Sequence, residues 1–220
     1  MRTVIAGGHG KIALRLERLL TARGDSAAGL IRNPAQADGL RAVGAEPVVL
    51  DLESADVDEV AAVLRGADAA VFAAGAGPGS GAARKRTVDH AAAVLLADAA
   101  ERARVRRFLV VSSLGANAHA TGADPVFTAY LRAKGEADDA IRARTSLDWT
   151  FLRPGTLTDS PGTGLIALSP THAGRGPVPR EDVASTLAAL LTAPATAGLT
   201  LNLTSGSTPI AETIDQVIGR

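Results

Sequence analysis

Apolar runs of strand length alternate along the chain with alanine-rich amphipathic runs of helix length, the pattern of a parallel sheet covered by helices on both faces. Thr3–Ala6 reads as a short buried strand, and Ile12, Leu16, Leu19 and Leu20 fall on one face of a helix over Ile12–Arg23 that Gly24 stops. Strand Ser26–Ile31 comes next, then a helix opened by Pro34 and running to about Val43, then strand Pro47–Asp51. The alternation continues with helix Glu53–Arg65, strand Ala67–Ala73, a glycine-rich loop over Gly75–Gly81, a long helix through Ala103 and strand Phe108–Ser112. Helix Pro125–Arg144 and strand Asp148–Arg153 complete the regular part. From Pro154 to Pro179 the chain is rich in Gly, Pro, Ser and Thr without sustained periodicity, which reads as a binding loop. Helix Glu181–Thr192, strand Leu199–Thr204 and a helix from near Pro209 close the chain. The pattern predicts a doubly wound parallel α/β sheet in a single domain over residues 1–220, with 154–220 supplying a small substrate-side lobe.

Composition narrows the function classes. With 220 residues, 46% of them hydrophobic, the chain can bury a sizeable core. Lys plus Arg and Asp plus Glu each total 23, so no broad basic surface is expected for nucleic acid or an anionic membrane. No apolar run has the length of a membrane span, and the opening Met1–Gly8 is too short and glycine-rich for a signal peptide, so a cytoplasmic location is expected. The absence of cysteine excludes disulfides, thiolate metal sites and cysteine nucleophiles. His9, His90 and His119 lack metal-ligand spacing, so no metal is expected. His172 reads as a solvated loop histidine or a pH-sensitive contact.

The most informative segment is the first strand–helix turn, Gly7-Gly8-His9-Gly10-Lys11-Ile12-Ala13. Glycines let backbone N–H groups approach a pyrophosphate, the following helix presents its positive end, and the small Ala13 allows close helix–strand packing. At the end of the second strand stands Arg32, where an acid would bind the ribose 2′-hydroxyl of NAD and an arginine can hold the 2′-phosphate of NADP. NADP(H) is therefore favoured over NAD(H), although Arg32 can also be read as a solvated loop residue. Lys11 adds either a second charge near that phosphate or a solvated helix start. Tyr130, the only tyrosine, precedes Lys134 by one helical turn, and a nearby ammonium favours the ionised phenol. The alternative is a ring packed on the sheet and a solvated lysine. The run Arg84-Lys85-Arg86 reads as a solvated helix start or as a face toward the phosphate side of a cleft.

With Asp51-Leu52 after the third strand, Ala73-Ala74-Gly75 after the fourth, Ser112-Ser113 after the fifth, Arg153-Pro154-Gly155 and Arg180-Glu181-Asp182, the chain resembles the atypical short-chain dehydrogenase/reductases of the NAD(P)H-binding kind, which include epimerase-like and biliverdin or flavin reductase-like proteins. The resemblance covers nearly the whole chain and implies a Rossmann-like fold. It implies that Asp51 and Leu52 meet the adenine, that Ala73, Ala74 and Gly75 pass its ribose, and that Ser112 and Pro154 flank the nicotinamide. It also assigns proton transfer to Tyr130, orientation of a substrate carbonyl to Ser113, and ribose binding with tuning of Tyr130 to Lys134. Arg180 and Asp182 are implied to pack the C-terminal lobe through an ion pair or a cap. The expected function is an NADPH-dependent oxidoreductase passing hydride to a small carbonyl, quinone or flavin-like acceptor, as a monomer or homodimer. A non-catalytic NADPH-binding sensor is the alternative. Epimerisation of a nucleotide sugar is disfavoured, because about 65 residues after the sixth strand leave little room for a sugar-nucleotide lobe.

Overall fold

A computed structural model describes residues 1–77, 79–171 and 174–219. Its sheet has nine strands: β1 (Arg2–Ala6), β2 (Ser26–Ile31), β3 (Glu46–Val49), β4 (Ala69–Phe72), β5 (Arg107–Val111), β6 (Asp148–Pro154), β8 (Leu165–Ser169), β10 (Leu199–Ser205) and β11 (Thr208–Pro209). The order is β11-β8-β10-β6-β5-β4-β1-β2-β3. The seven strands from β10 to β3 run parallel, and β8 closes the edge antiparallel to both β10 and β11. A separate parallel pair joins β7 (Thr156–Thr158) to β9 (Pro177–Pro179).

Alternation along β1 sends Ile5 to one face of the sheet and Val4 and Ala6 to the other. On the first face lie α1 (Lys11–Ala22), α2 (Ala37–Arg41), α7 (Arg180–Leu191) and α8 (Ile210–Val217), whose Leu16, Leu40, Leu187 and Ile214 bury there. The second face is covered by α3 (Val57–Leu64), α5 (Ala92–Ala103) and α6 (Pro125–Arg142), through Leu64, Leu96 and Ile141. Between β4 and α5 the chain forms a short turn of helix, α4 (Ala82–Arg84), and then a π-helical stretch, Lys85–Ala91.

The doubly wound parallel α/β sheet is the expected one, and the differences are local. Asp56 rather than Glu53 starts α3, since its carboxylate accepts the N–H groups of Asp58 and Glu59 while Glu59 reaches back to Asp56 N–H. The third strand stops at Val49, leaving Asp51 beyond it. The segment 154–179, expected to be irregular, carries β7, β8 and β9. Its strands are only three to five residues long, and the single alternation along β8, with Ile166 and Leu168 inward, is too brief to stand out among Gly, Pro, Ser and Thr. The expectation for His172 lies outside the described residues.

Candidate dinucleotide cleft

The carboxyl ends of the parallel strands open into a cleft of about 920 Å³, where ligands of open α/β sheets bind. Its first wall is the turn between β1 and α1. Gly7 has φ +80°, and a Cβ there would stand 2.6 Å from Ala74 Cα, so this position admits glycine alone while the strand ends stay this close. Gly10 caps α1 without a side chain, so the N–H groups of the first helical turn are presented to the cleft beside Lys11 and Ile12. His9 lines the cleft and lies over Gly39. Gly8 does not line it: Gly8 is buried against β2, where a Cβ would come within 2.6 Å of Gly29 Cα, and its N–H donates to Leu30 O at 2.9 Å.

Beyond β2 and β3 stand Arg32, Asp51 and Leu52. Asp51 Oδ1 accepts the Glu53 N–H at 3.0 Å, so this side chain caps its own turn as well as lining the cleft. Arg32 is more than half exposed and meets Glu53 at 3.5 Å. Glu53 also accepts from Arg84 at 2.8 Å and Thr87 at 2.7 Å. Lys11 reaches across the cleft mouth to Asp159 at 2.5 Å, and Arg180 holds the other oxygen of Asp159 at 2.9 Å. The Lys11 ammonium hydrogen-bonded to Asp159 holds its carboxyl below the usual range.

Ala73, Ala74 and Gly75 follow β4 along the floor, and Ser112, Ser113 and Pro154 lie past β5 and at the end of β6. Ser112 is buried and donates to Asp138 Oδ2 at 2.7 Å, the oxygen that also accepts from Arg153 at 2.7 and 3.0 Å. Burial pushes the Asp138 carboxyl up against the pull of Arg153. Ser113, by contrast, donates only to Leu114 O at 3.3 Å and is not tied to a buried carboxylate.

Tyr130 and Lys134 both line the cleft, but they have different neighbours. Lys134 is 3% exposed; it donates to Val111 O at 3.1 Å and Ala74 O at 3.3 Å and faces Asp89 Oδ1 at 3.3 Å. Two hydrogen bonds and one ion pair tie together the ends of β4 and β5 and the π-helical stretch, and Asp89 Oδ1 accepts no hydrogen bond. The Tyr130 ring sits 6.0 Å from the Phe127 ring and 5.3 Å from Lys85 Nζ. Lys85 is thus a buried cleft residue rather than a solvated helix start. Glu53, Asp89 and Asp159 have no signal in the sequence, since each meets its partner from a distant segment. Asp138 had one: it follows Lys134 by four residues on the same helical face.

The glycine turn, the uncapped helix start and a cleft of this volume at the strand ends fit a nicotinamide dinucleotide. A family model described as NAD(P)H-binding matches residues 7–194. The chain belongs to the NAD(P)H-binding family. A relative named as an uncharacterized sugar epimerase, YhfK of Bacillus subtilis, is 35% identical over 218 residues, which are 99% of this chain and all of that protein. A structure from Bacillus halodurans, named as an NAD-dependent epimerase/dehydratase, superposes with a TM-score of 0.90 at 35% identity, covering 98% of this chain and 99% of that one. The anaerobillin reductase ChuY of Escherichia coli O157:H7 gives 0.79 at 26% identity, over 93% and 97%. The resemblance carried by the motifs therefore holds at the level of the family, and a nicotinamide cofactor is the class this family binds. Among the described residues no helix is long and apolar enough to cross a membrane, and no group of three His, Asp or Glu is placed to hold a metal.

Proposed function

We propose that this chain is a cytoplasmic oxidoreductase that binds NADPH in the cleft and reduces a small carbonyl, quinone or flavin-like acceptor. The observation that carries this reading is the meeting, in one cleft, of an uncapped glycine turn at one end with Ser113, Tyr130 and Phe127 at the other. Bound there, a reduced nicotinamide supplies a hydride. The N–H groups of Lys11 and Ile12 would hold the pyrophosphate and Asp51 the adenine, while Ala73, Ala74 and Gly75 leave room for the ribose. Arg32 and Arg84 would turn from Glu53 to a 2′-phosphate, which offers more acceptor oxygens than one carboxylate. Ser113 would orient the acceptor oxygen and the Tyr130 hydroxyl would deliver the proton that completes the reduction, to be replaced from solvent. Lys134 secures the strand ends beneath, and the N–H that it gives to neither carbonyl would be the one to meet the ribose.

The names of the Bacillus relatives raise epimerisation as a second reading. Against it, β8, β10 and β11 extend the main sheet and α7 and α8 cover its face, so most of the regular structure after β6 is spent on the sheet. The test is calorimetric titration with NADPH and NADH, followed by a screen of quinones, flavins and aldehydes for loss of the reduced-nicotinamide absorbance. Tighter binding of NADPH than of NADH and turnover that Tyr130→Phe removes are expected. Binding of neither dinucleotide overturns the reading.

A further inference from the structure

Six lysines and arginines line the cleft: Lys11, Arg32, Arg84, Lys85, Lys134 and Arg180. Five of them face a carboxylate, in the pairs Lys11–Asp159, Arg32–Glu53, Arg84–Glu53, Lys134–Asp89 and Arg180–Asp159. Lys85 has no carboxylate within ion-pair distance among the described residues, although at 8% exposure it is far more buried than Lys11, Arg32 or Arg84. Its ammonium makes one hydrogen bond, to Gly77 O at 2.9 Å, and otherwise looks onto the Tyr130 ring. A buried charge with so little compensation is costly, and the cost is recovered when an anion reaches it. Beside it stand Tyr130 and the exposed Val126 and Phe127, an apolar and aromatic wall in the same cleft.

We propose that Lys85 is the anion-binding residue of the acceptor subsite, and that the acceptor is a flat conjugated molecule carrying a carboxylate. This deepens the reductase reading and rests on it for the word acceptor; the anion site itself rests on geometry alone. The flat part lies against Phe127 and Tyr130, and the carboxylate takes the two N–H groups that Lys85 does not give to Gly77. The cofactor also carries anionic groups, but the glycine turn that would hold its pyrophosphate lies on another segment, and Arg84, which directly precedes Lys85, turns with Arg32 to Glu53 while Lys85 faces Tyr130 and Gly77.

The test is a fluorescence titration with anthroate and with its uncharged analogue hydroxymethylanthracene, in the presence and absence of NADPH, on the wild-type protein, Lys85→Met and Lys85→Arg. The wild type should bind anthroate more tightly than the alcohol. Lys85→Met should weaken anthroate about ten- to a hundredfold and leave the alcohol unchanged, as expected for loss of a charge-assisted hydrogen bond. Lys85→Arg should keep the preference. A preference for anthroate that survives in Lys85→Met, or none in the wild type, overturns the proposal. A fall in NADPH affinity equal to the fall for anthroate also overturns it, by making a cofactor phosphate the anion. Lys85-dependent anthroate binding in a protein that binds no dinucleotide would refute the reductase reading and leave the anion site standing.

Discussion

At the rim of the cleft Lys11, Asp159 and Arg180 form a chain of charges in which Lys11 and Asp159 are at least half exposed, whereas at its floor Lys134 meets Asp89, and beneath the floor Arg153 meets Asp138, around carboxylates with no solvent contact. Water and salt compete for the rim pairs, so they contribute little to stability and can rearrange when a ligand arrives. The floor pairs have no such competitor, and removing one partner leaves a charge with nowhere to turn. The same kinds of residue thus serve recognition in one place and architecture in the other, and burial decides which.

Asp138→Ala should show the difference most strongly. It strands the Arg153 guanidinium and the Ser112 hydroxyl, and urea denaturation should record a loss of about 3–5 kcal/mol. A loss within the range of surface pairs would erase the distinction between floor and rim.

Glu17 extends the contrast to a buried acid with no partner. It lies on α1 with no solvent exposure, packed over Gly8 and Gly29, and neither carboxylate oxygen has a hydrogen-bond partner. Burial pushes its pKa from the ordinary 4.5 to about 8. Because the folded state holds this proton more tightly than the unfolded state, the associated stability is fully present below about pH 4.5 and is lost as pH rises to about 8. Denaturation curves across that window should slope downward by a few kcal/mol in the wild type, and Glu17→Gln should flatten them. An unchanged slope would mean that the carboxyl finds a partner in solution.

At the rim, Arg32→Ala should weaken NADPH about tenfold or more while changing NADH binding little and leaving stability within about 0.5 kcal/mol, as measured by calorimetry and thermal melting. Equal losses for both dinucleotides would remove the 2′-phosphate from its role. The smallest effect belongs to Asp159→Asn, which should barely move the midpoint of a urea titration, and move it less still at high salt.

The backbone half of the site was legible because its signals are local. Gly7 and Gly10 are required by a turn that follows directly from the strand before it, and Arg32 is placed by the end of β2. Tyr130 and Lys134 were legible as one helical face, but what each touches was not. Lys134 meets a carboxylate 45 positions away and Lys11 one 148 positions away, and no periodicity encodes such meetings (134 − 89 and 159 − 11). Likewise Gly8, grouped by sequence with the phosphate-cradling glycines, is placed by the close approach of β2.

Hydrophobic periodicity by itself determined the order of strands and helices through β6 and the doubly wound parallel sheet, because these follow from repeats of two and 3.6 residues within single segments, and it missed the short strands β7, β8 and β9. Only the tertiary structure decided which charges are paired, which serine hydroxyl is tied to a buried carboxylate, and that Lys85 is buried with no acid within ion-pair distance among the described residues. Those are properties of side chains brought together from separate strands and helices, and their energies depend on the burial that the completed packing imposes.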